Sequence, residues 1–102
     1  MKKKHVLVQR LLQKSHDGKL VWEPIEDLGF YTDIDIYRVM VCASDGTYFL
    51  YIHNLLLNRF VDSVRCGCQQ RFLKGLYNVA RKCHMSRKVA INKIIKNLEE
   101  MK

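Results

Sequence analysis

The chain has 102 residues, of which 48% are hydrophobic and 27% are charged, so it is long enough for one folded domain and too short for two. This composition excludes disorder over the whole chain, and no apolar run approaches the roughly 20 residues of a membrane-spanning helix. The formal net charge is +8. We therefore expect a single domain over residues 1–102, a cytoplasmic location and no role at a membrane.

The first quarter of the sequence predicts a helix and a short strand. Apolar residues recur at helical spacing from Val8 to Leu12, and the segment closes on a glycine, so we place a helix over about residues 4–16. Leu20–Glu23 predicts a strand that ends at Pro24, because proline cannot donate a hydrogen bond to a neighbouring strand. We expect the tryptophan of this strand to lie in the core.

The middle of the sequence predicts an antiparallel meander. Tyr31–Cys42 alternates between apolar and polar residues and contains a turn near its centre. Asp45-Gly46 is typical of a two-residue hairpin turn, since both residues readily adopt positive φ. Thr47–His53 predicts the returning strand, and Arg59–Val64 a weaker one. Four or five short strands result.

From Cys68 onwards the apolar residues recur with the period of a helix, and Ser86 is a typical first residue of a further helix. We therefore predict two C-terminal helices. The second would bury one apolar stripe, formed by Ile91, Ile94, Ile95 and Leu98. The predicted fold is α+β, with an N-terminal helix, an antiparallel β-meander of four to five strands and two C-terminal helices.

The sequence contains no recognisable metal site or catalytic centre. Cys66 and Cys68 are separated by one residue and Cys83 is adjacent to His84, whereas zinc ligands usually lie two to four residues apart. The histidines and carboxylates show no nucleophile–base or phosphate-loop pattern. We expect reduced cysteines, no metal, no cofactor and no enzymatic activity.

Charge is distributed unevenly along the chain. Residues 1–19 carry a net charge of +5, residues 20–64 carry −5, and residues 65–102 carry +8. A basic, acid-free helical surface is typical of nucleic-acid binding. We predict that this surface binds DNA, RNA or a nucleoprotein complex through a set of cations and one amide on the C-terminal helices: Arg71, Lys74, Arg81, Lys82, Arg87, Lys88, Asn92, Lys93 and Lys96.

The segment Val79–Ile95 resembles the helix-turn-helix of phage repressors. It has a small alanine in its first helix, an apolar residue at the turn and a polar start to its second helix. The resemblance implies that Ser86, Arg87, Lys88 and Asn92 lie at the bases. Because Ile91 and Ile94 fall one residue later than the motif requires, we expect contact with phosphates rather than sequence-specific reading.

A second resemblance extends over nearly the whole chain. The segment Gly18–Glu23, the tyrosine-rich Tyr48–Ile52 and the late Leu76–Arg81 are similar to a diffuse group of small bacterial and mobile-element proteins. The resemblance implies a non-enzymatic accessory protein, such as a phage-borne regulator or an anti-CRISPR-like inhibitor of host defence. The alternative function is a protein-interaction module without a nucleic-acid role, whose partner is a host protein or a second copy of the chain.

Overall fold

The helices and strands of this chain form an α+β arrangement in the computed structural model, which describes residues 3–65 and 67–101. Helix α1 is followed by five strands, a 3-10 turn at Gly67–Gln69 and helix α2. Their bounds are α1 Lys3–His16, β1 Glu23–Ile25, β2 Gly29–Ile34, β3 Tyr37–Ser44, β4 Thr47–Asn54, β5 Arg59–Val64 and α2 Gln70–Glu100. The predicted N-terminal helix and antiparallel strands are confirmed. The prediction of two C-terminal helices is wrong, because a single helix occupies that region.

The five strands form one antiparallel sheet in the order β1-β2-β3-β4-β5. The hairpin between β3 and β4 turns at Asp45 and Gly46, whose φ angles of 51° and 77° are those that its two-residue turn requires. The predicted first strand is misplaced, since β1 begins only at Glu23 and contains Pro24. Proline is tolerated there because β1 lies at the edge of the sheet, where one side of its backbone needs no partner.

Both helices pack side by side on one face of the sheet and run in the same direction. The ring of His5 lies 5.3 Å from that of Phe72 near their starts, and the Cys83 thiol lies 3.9 Å from the carbonyl oxygen of Ser15 further along. The buried side chains between these layers form one apolar core: Val8, Leu11, Trp22, Phe30, Val39, Val41, Leu50, Val64, Leu73, Leu76 and Ala80.

Trp22 is fully buried, as its sequence context predicts. Its indole Nε1–H donates to the hydroxyl oxygen of Ser15 at 2.9 Å, and that hydroxyl donates to the carbonyl oxygen of Leu11 at 2.7 Å. The indole thus has a partner for its one polar group, so its burial carries no unsatisfied donor. This chain of bonds connects the segment before β1 to α1.

Helix α2 extends well beyond the sheet. Its 31 residues correspond to a length of about 46 Å, and all residues from 85 to 100 are exposed. The apolar stripe predicted to be buried is therefore exposed, with Ile91 and Ile94 each 57% and Leu98 60% accessible. Helical periodicity identifies which residues share a face, but it does not supply the surface that covers them. Within residues 3–65 and 67–101, no helix combines the length and apolarity needed to span a membrane.

Candidate nucleic-acid interface

Helix α2 is continuous through the segment that resembles a helix-turn-helix. His84, Met85 and Ser86 are all helical, so the predicted turn does not exist and Ser86 caps nothing. None of these residues is glycine or proline, and each accepts helical φ and ψ angles without cost to the backbone hydrogen bonds. The helix-turn-helix prediction is therefore wrong.

The continuous helix places most of the predicted cations on one side of α2. At 100° per residue, seven of them fall within an arc of about 140° around α2, together with two asparagines. From first to last they extend about 38 Å along the helix. We call this surface the basic face, and all of its members are exposed: Arg71, Lys74, Asn78, Arg81, Lys82, Lys88, Asn92, Lys93 and Lys96.

Most of the basic face has no carboxylate nearby on α2, and only Lys96 has acidic residues within one helical turn, Glu99 and Glu100. The sequence contains no acidic residue between Asp62 and Glu99. Within the described part of the chain, ion pairs join Lys4 to Asp62, Arg38 to Asp33 and Arg87 to Glu23, and none of them includes a residue of the basic face. The seven cations are therefore available to an anionic partner.

Arg87 does not belong to the basic face. It lies seven residues after the buried Ala80 and shares its side of the helix. One guanidinium nitrogen is 3.2 Å from a carboxylate oxygen of Glu23, and another donates to the carbonyl oxygen of Trp22. The prediction that Arg87 contacts nucleic acid is not supported by this position, where it connects α2 to the chain entering β1.

A shallow groove of about 610 Å³ adjoins the first turns of α2, beside the β3–β4 hairpin. Arg65, Arg71 and Lys74 line it. Gln70 holds the hairpin against the helix, because its side-chain amide accepts from the backbone N–H of Tyr48 at 2.8 Å and donates to the same residue's carbonyl oxygen at 2.7 Å. The groove is thus a concave part of the positive surface, and both of these bonds hold it in place.

The sequence prediction missed Arg65 as a member of this surface. Its guanidinium donates to the hydroxyl of Tyr51 at 2.8 Å and lies 5.7 Å from the rings of Phe49 and Tyr51. These contacts hold the side chain at the rim of the groove. Its position as the first cation of the acid-free segment was a signal that could have included it.

The described cysteines lie on three different elements: Cys42 on β3, Cys68 in the 3-10 turn and Cys83 on α2. Cys66 lies outside the described residues. Cys68 and Cys83 are separated by about 20 Å along the 3-10 turn and the axis of α2. Over residues 3–65 and 67–101, no three histidine, cysteine or acidic side chains come together in a metal-binding group. Burial raises the pKa of the Cys42 thiol. None of the described cysteines belongs to the basic face.

No protein-family model, curated protein or solved structure matches this chain. The similarity of its sequence to small mobile-element proteins therefore stays a prediction. The structure defines a class of protein: a small α+β domain whose five-stranded antiparallel sheet supports two parallel helices, the second long, basic on one face and projecting.

Proposed function

We propose that this protein binds nucleic acid through the basic face of α2, without catalysis. The observation that carries the proposal is the alignment of seven cations along about 38 Å of an uninterrupted helix, with no acidic residue among them. Phosphates along a nucleic-acid strand are the regularly spaced anions that such a line of positive charge fits. The groove lined by Arg65, Arg71 and Lys74 is a concave surface at the N-terminal end of the basic face.

The proposed binding is through phosphates and largely independent of base sequence. The seven lysines and arginines of the basic face suit phosphate oxygens, lysine as a point charge and arginine as a two-pronged donor. Only Asn78 and Asn92 offer neutral amides. Without a helix-turn-helix, no short reading helix is inserted into the major groove by the rest of the fold. Replacing Asn92 with alanine should therefore weaken binding by a similar factor on every DNA sequence.

The decisive experiment compares two triple charge reversals. One variant carries Arg71→Glu, Lys74→Glu and Lys82→Glu on the basic face. The matched control carries Arg10→Glu, Lys14→Glu and Lys19→Glu, which are exposed residues on and after α1.

Both variants lower the formal net charge from +8 to +2, because each reversal replaces one positive charge with one negative charge. Gel-shift assays at low salt with a short duplex DNA and a duplex RNA of the same length should show binding by the wild type and the control, and no shift by the basic-face variant. Equal loss in both variants would mean that net charge rather than the basic face is responsible. Absence of binding by the wild-type protein to both probes would refute the proposal.

The predicted partners also include a nucleoprotein complex, such as one of a host defence system. Such a complex presents the same phosphates, so the basic face is proposed to contact its nucleic acid. Capture of the complex from lysate on the immobilised protein should then be lost after nuclease treatment. Capture that survives nuclease would favour a protein partner and argue against this mode of binding.

A further inference from the structure

The second half of α2 carries an apolar stripe that nothing in the described chain covers. The stripe lies on the side of α2 opposite the basic face and continues the same helical phase as the buried Leu73, Leu76 and Ala80. Four members lie on α2 and are exposed by between 47% and 60%, and the fifth, the residue that caps the helix, is 71% exposed: Ile91, Ile94, Ile95, Leu98 and Met101. A contiguous apolar surface of this kind on a projecting helix marks an interaction site.

We propose that this stripe packs against the same stripe of a second copy of the chain, with the two helices antiparallel. Apolar residues spaced three and four apart, from Ile91 through Ile94 and Leu98 to Met101, form the seam of a two-helix coiled coil. Covering the stripe in both copies buries on the order of 1,000 Å² of surface, which is about the minimum for a biological interface.

Charge along the border of the stripe selects the antiparallel orientation. Lys88 and Glu99 lie on the same border, near opposite ends of the stripe. When Ile91 of one copy lies opposite Ile94 of the other, Lys88 of each copy comes beside Glu99 of the other. A parallel pair brings neither residue next to an opposite charge. The two symmetric Lys88–Glu99 contacts therefore occur only in the antiparallel pair.

The shape of the surface fits the same arrangement. A cleft of about 210 Å³ opens where α2 leaves the sheet, lined in part by Glu23, His84, Arg87 and Ile91. In the register with Ile91 opposite Ile94, the helix end that carries Leu98 and Met101 of the second copy lies over this cleft. The negative end of that helix dipole then faces Arg87 and Lys88, which stabilises the contact. An antiparallel pair also places the two sheets at opposite ends, away from each other.

The dimer leaves most of the basic face uncovered, because the centres of the stripe and of the basic face lie on opposite sides of α2, and Lys88 at their common border is the one cation of that face used in the dimer contact. Dimerisation and nucleic-acid binding are therefore separable by mutation. The inference does not depend on the proposed function, and the charge-reversal variant of the basic face should dimerise like the wild type.

Sedimentation equilibrium of the full chain tests the proposal with two neutral double variants. Ile91→Asn with Ile94→Asn disrupts the stripe, whereas Met85→Asn with Val89→Asn makes the same change at exposed apolar residues outside it. We expect a wild-type dimer, and a dissociation constant raised by at least about 100-fold in the stripe variant but by less than about threefold in the control. Circular dichroism should show that both variants keep the helix content of the wild type.

A charge exchange tests the orientation. Lys88→Glu and Glu99→Lys should each weaken the dimer several-fold, and the two changes combined should restore it, because the exchanged charges again face each other in the antiparallel pair. A wild-type protein that stays monomeric at every concentration would overturn the proposal. A dimer insensitive to the stripe variant would place the interface elsewhere, and failure of the combined exchange to restore the dimer would overturn the antiparallel arrangement.

Discussion

Replacing Trp22 with alanine tests how the core of this domain is held together. The side chain is fully buried, and its Nε1–H donates to Ser15, whose hydroxyl donates in turn to Leu11. Removing a buried tryptophan typically costs about 3–5 kcal/mol of stability, because the favourable burial of its apolar surface is lost and a cavity remains. A domain of this size has a free energy of unfolding of only about 5–15 kcal/mol. The variant should therefore lose a large fraction of its stability.

The measurement is thermal unfolding followed by far-ultraviolet circular dichroism, because Trp22 is the only tryptophan and its fluorescence is lost in the variant. At roughly 4–8 °C per kcal/mol, the expected decrease in Tm is more than about 12 °C. Trp22→Phe keeps most of the ring and loses the hydrogen bond, so it should cost less, about 1–2 kcal/mol. A Trp22→Ala variant that melts within about 3 °C of the wild type would refute the placement of this residue in the core.

Two further predictions concern the sheet. Gly29→Ala should prevent folding, because a Cβ at Gly29 would lie 2.0 Å from the backbone oxygen of Val41 in the paired strand. The matched control is Gly67→Ala, where an added Cβ meets nothing within 4 Å, and circular dichroism should show that this variant folds normally. The hydrogen bond from Arg38 holds the pKa of Asp33 below its ordinary value, so the pair stabilises the fold fully above pH ~4 and loses that effect as the pH falls through the lowered pKa. A carboxyl NMR titration should give a midpoint for Asp33 below 3.8, and a midpoint at or above that value would contradict the pairing.

Local structure was predictable where a few adjacent residues determine the backbone. Asp45-Gly46 specified its turn because both residues accept positive φ, and alternating residues specified the strands on either side. The first strand was misplaced because its position depends on pairing with β2, which the local sequence does not encode. Pro24 was interpreted as the end of a strand, although an edge strand tolerates it.

The C-terminal region shows where local signals mislead. Ser86 is a favourable start for a helix, but it also fits inside one, and no glycine or proline breaks the chain beside it. The single helix changes the site. It places seven cations on the basic face, and it places Arg87 on the side of α2 that carries the buried Ala80. The stripe at Ile91 and Ile94 has the pattern of buried residues, and only the tertiary structure shows that this chain alone does not cover it.

The most direct test of nucleic-acid binding by the basic face is the salt dependence of affinity, measured by fluorescence anisotropy on a labelled duplex DNA. Each phosphate contact contributes about −0.9 to the slope of log K against log salt, so seven contacts predict a wild-type slope of about −6. Reversing Arg71, Lys74 and Lys82 should reduce the magnitude of that slope by at least about 3. A wild-type affinity that does not change with salt, or a slope that the three reversals leave unchanged, would contradict the account.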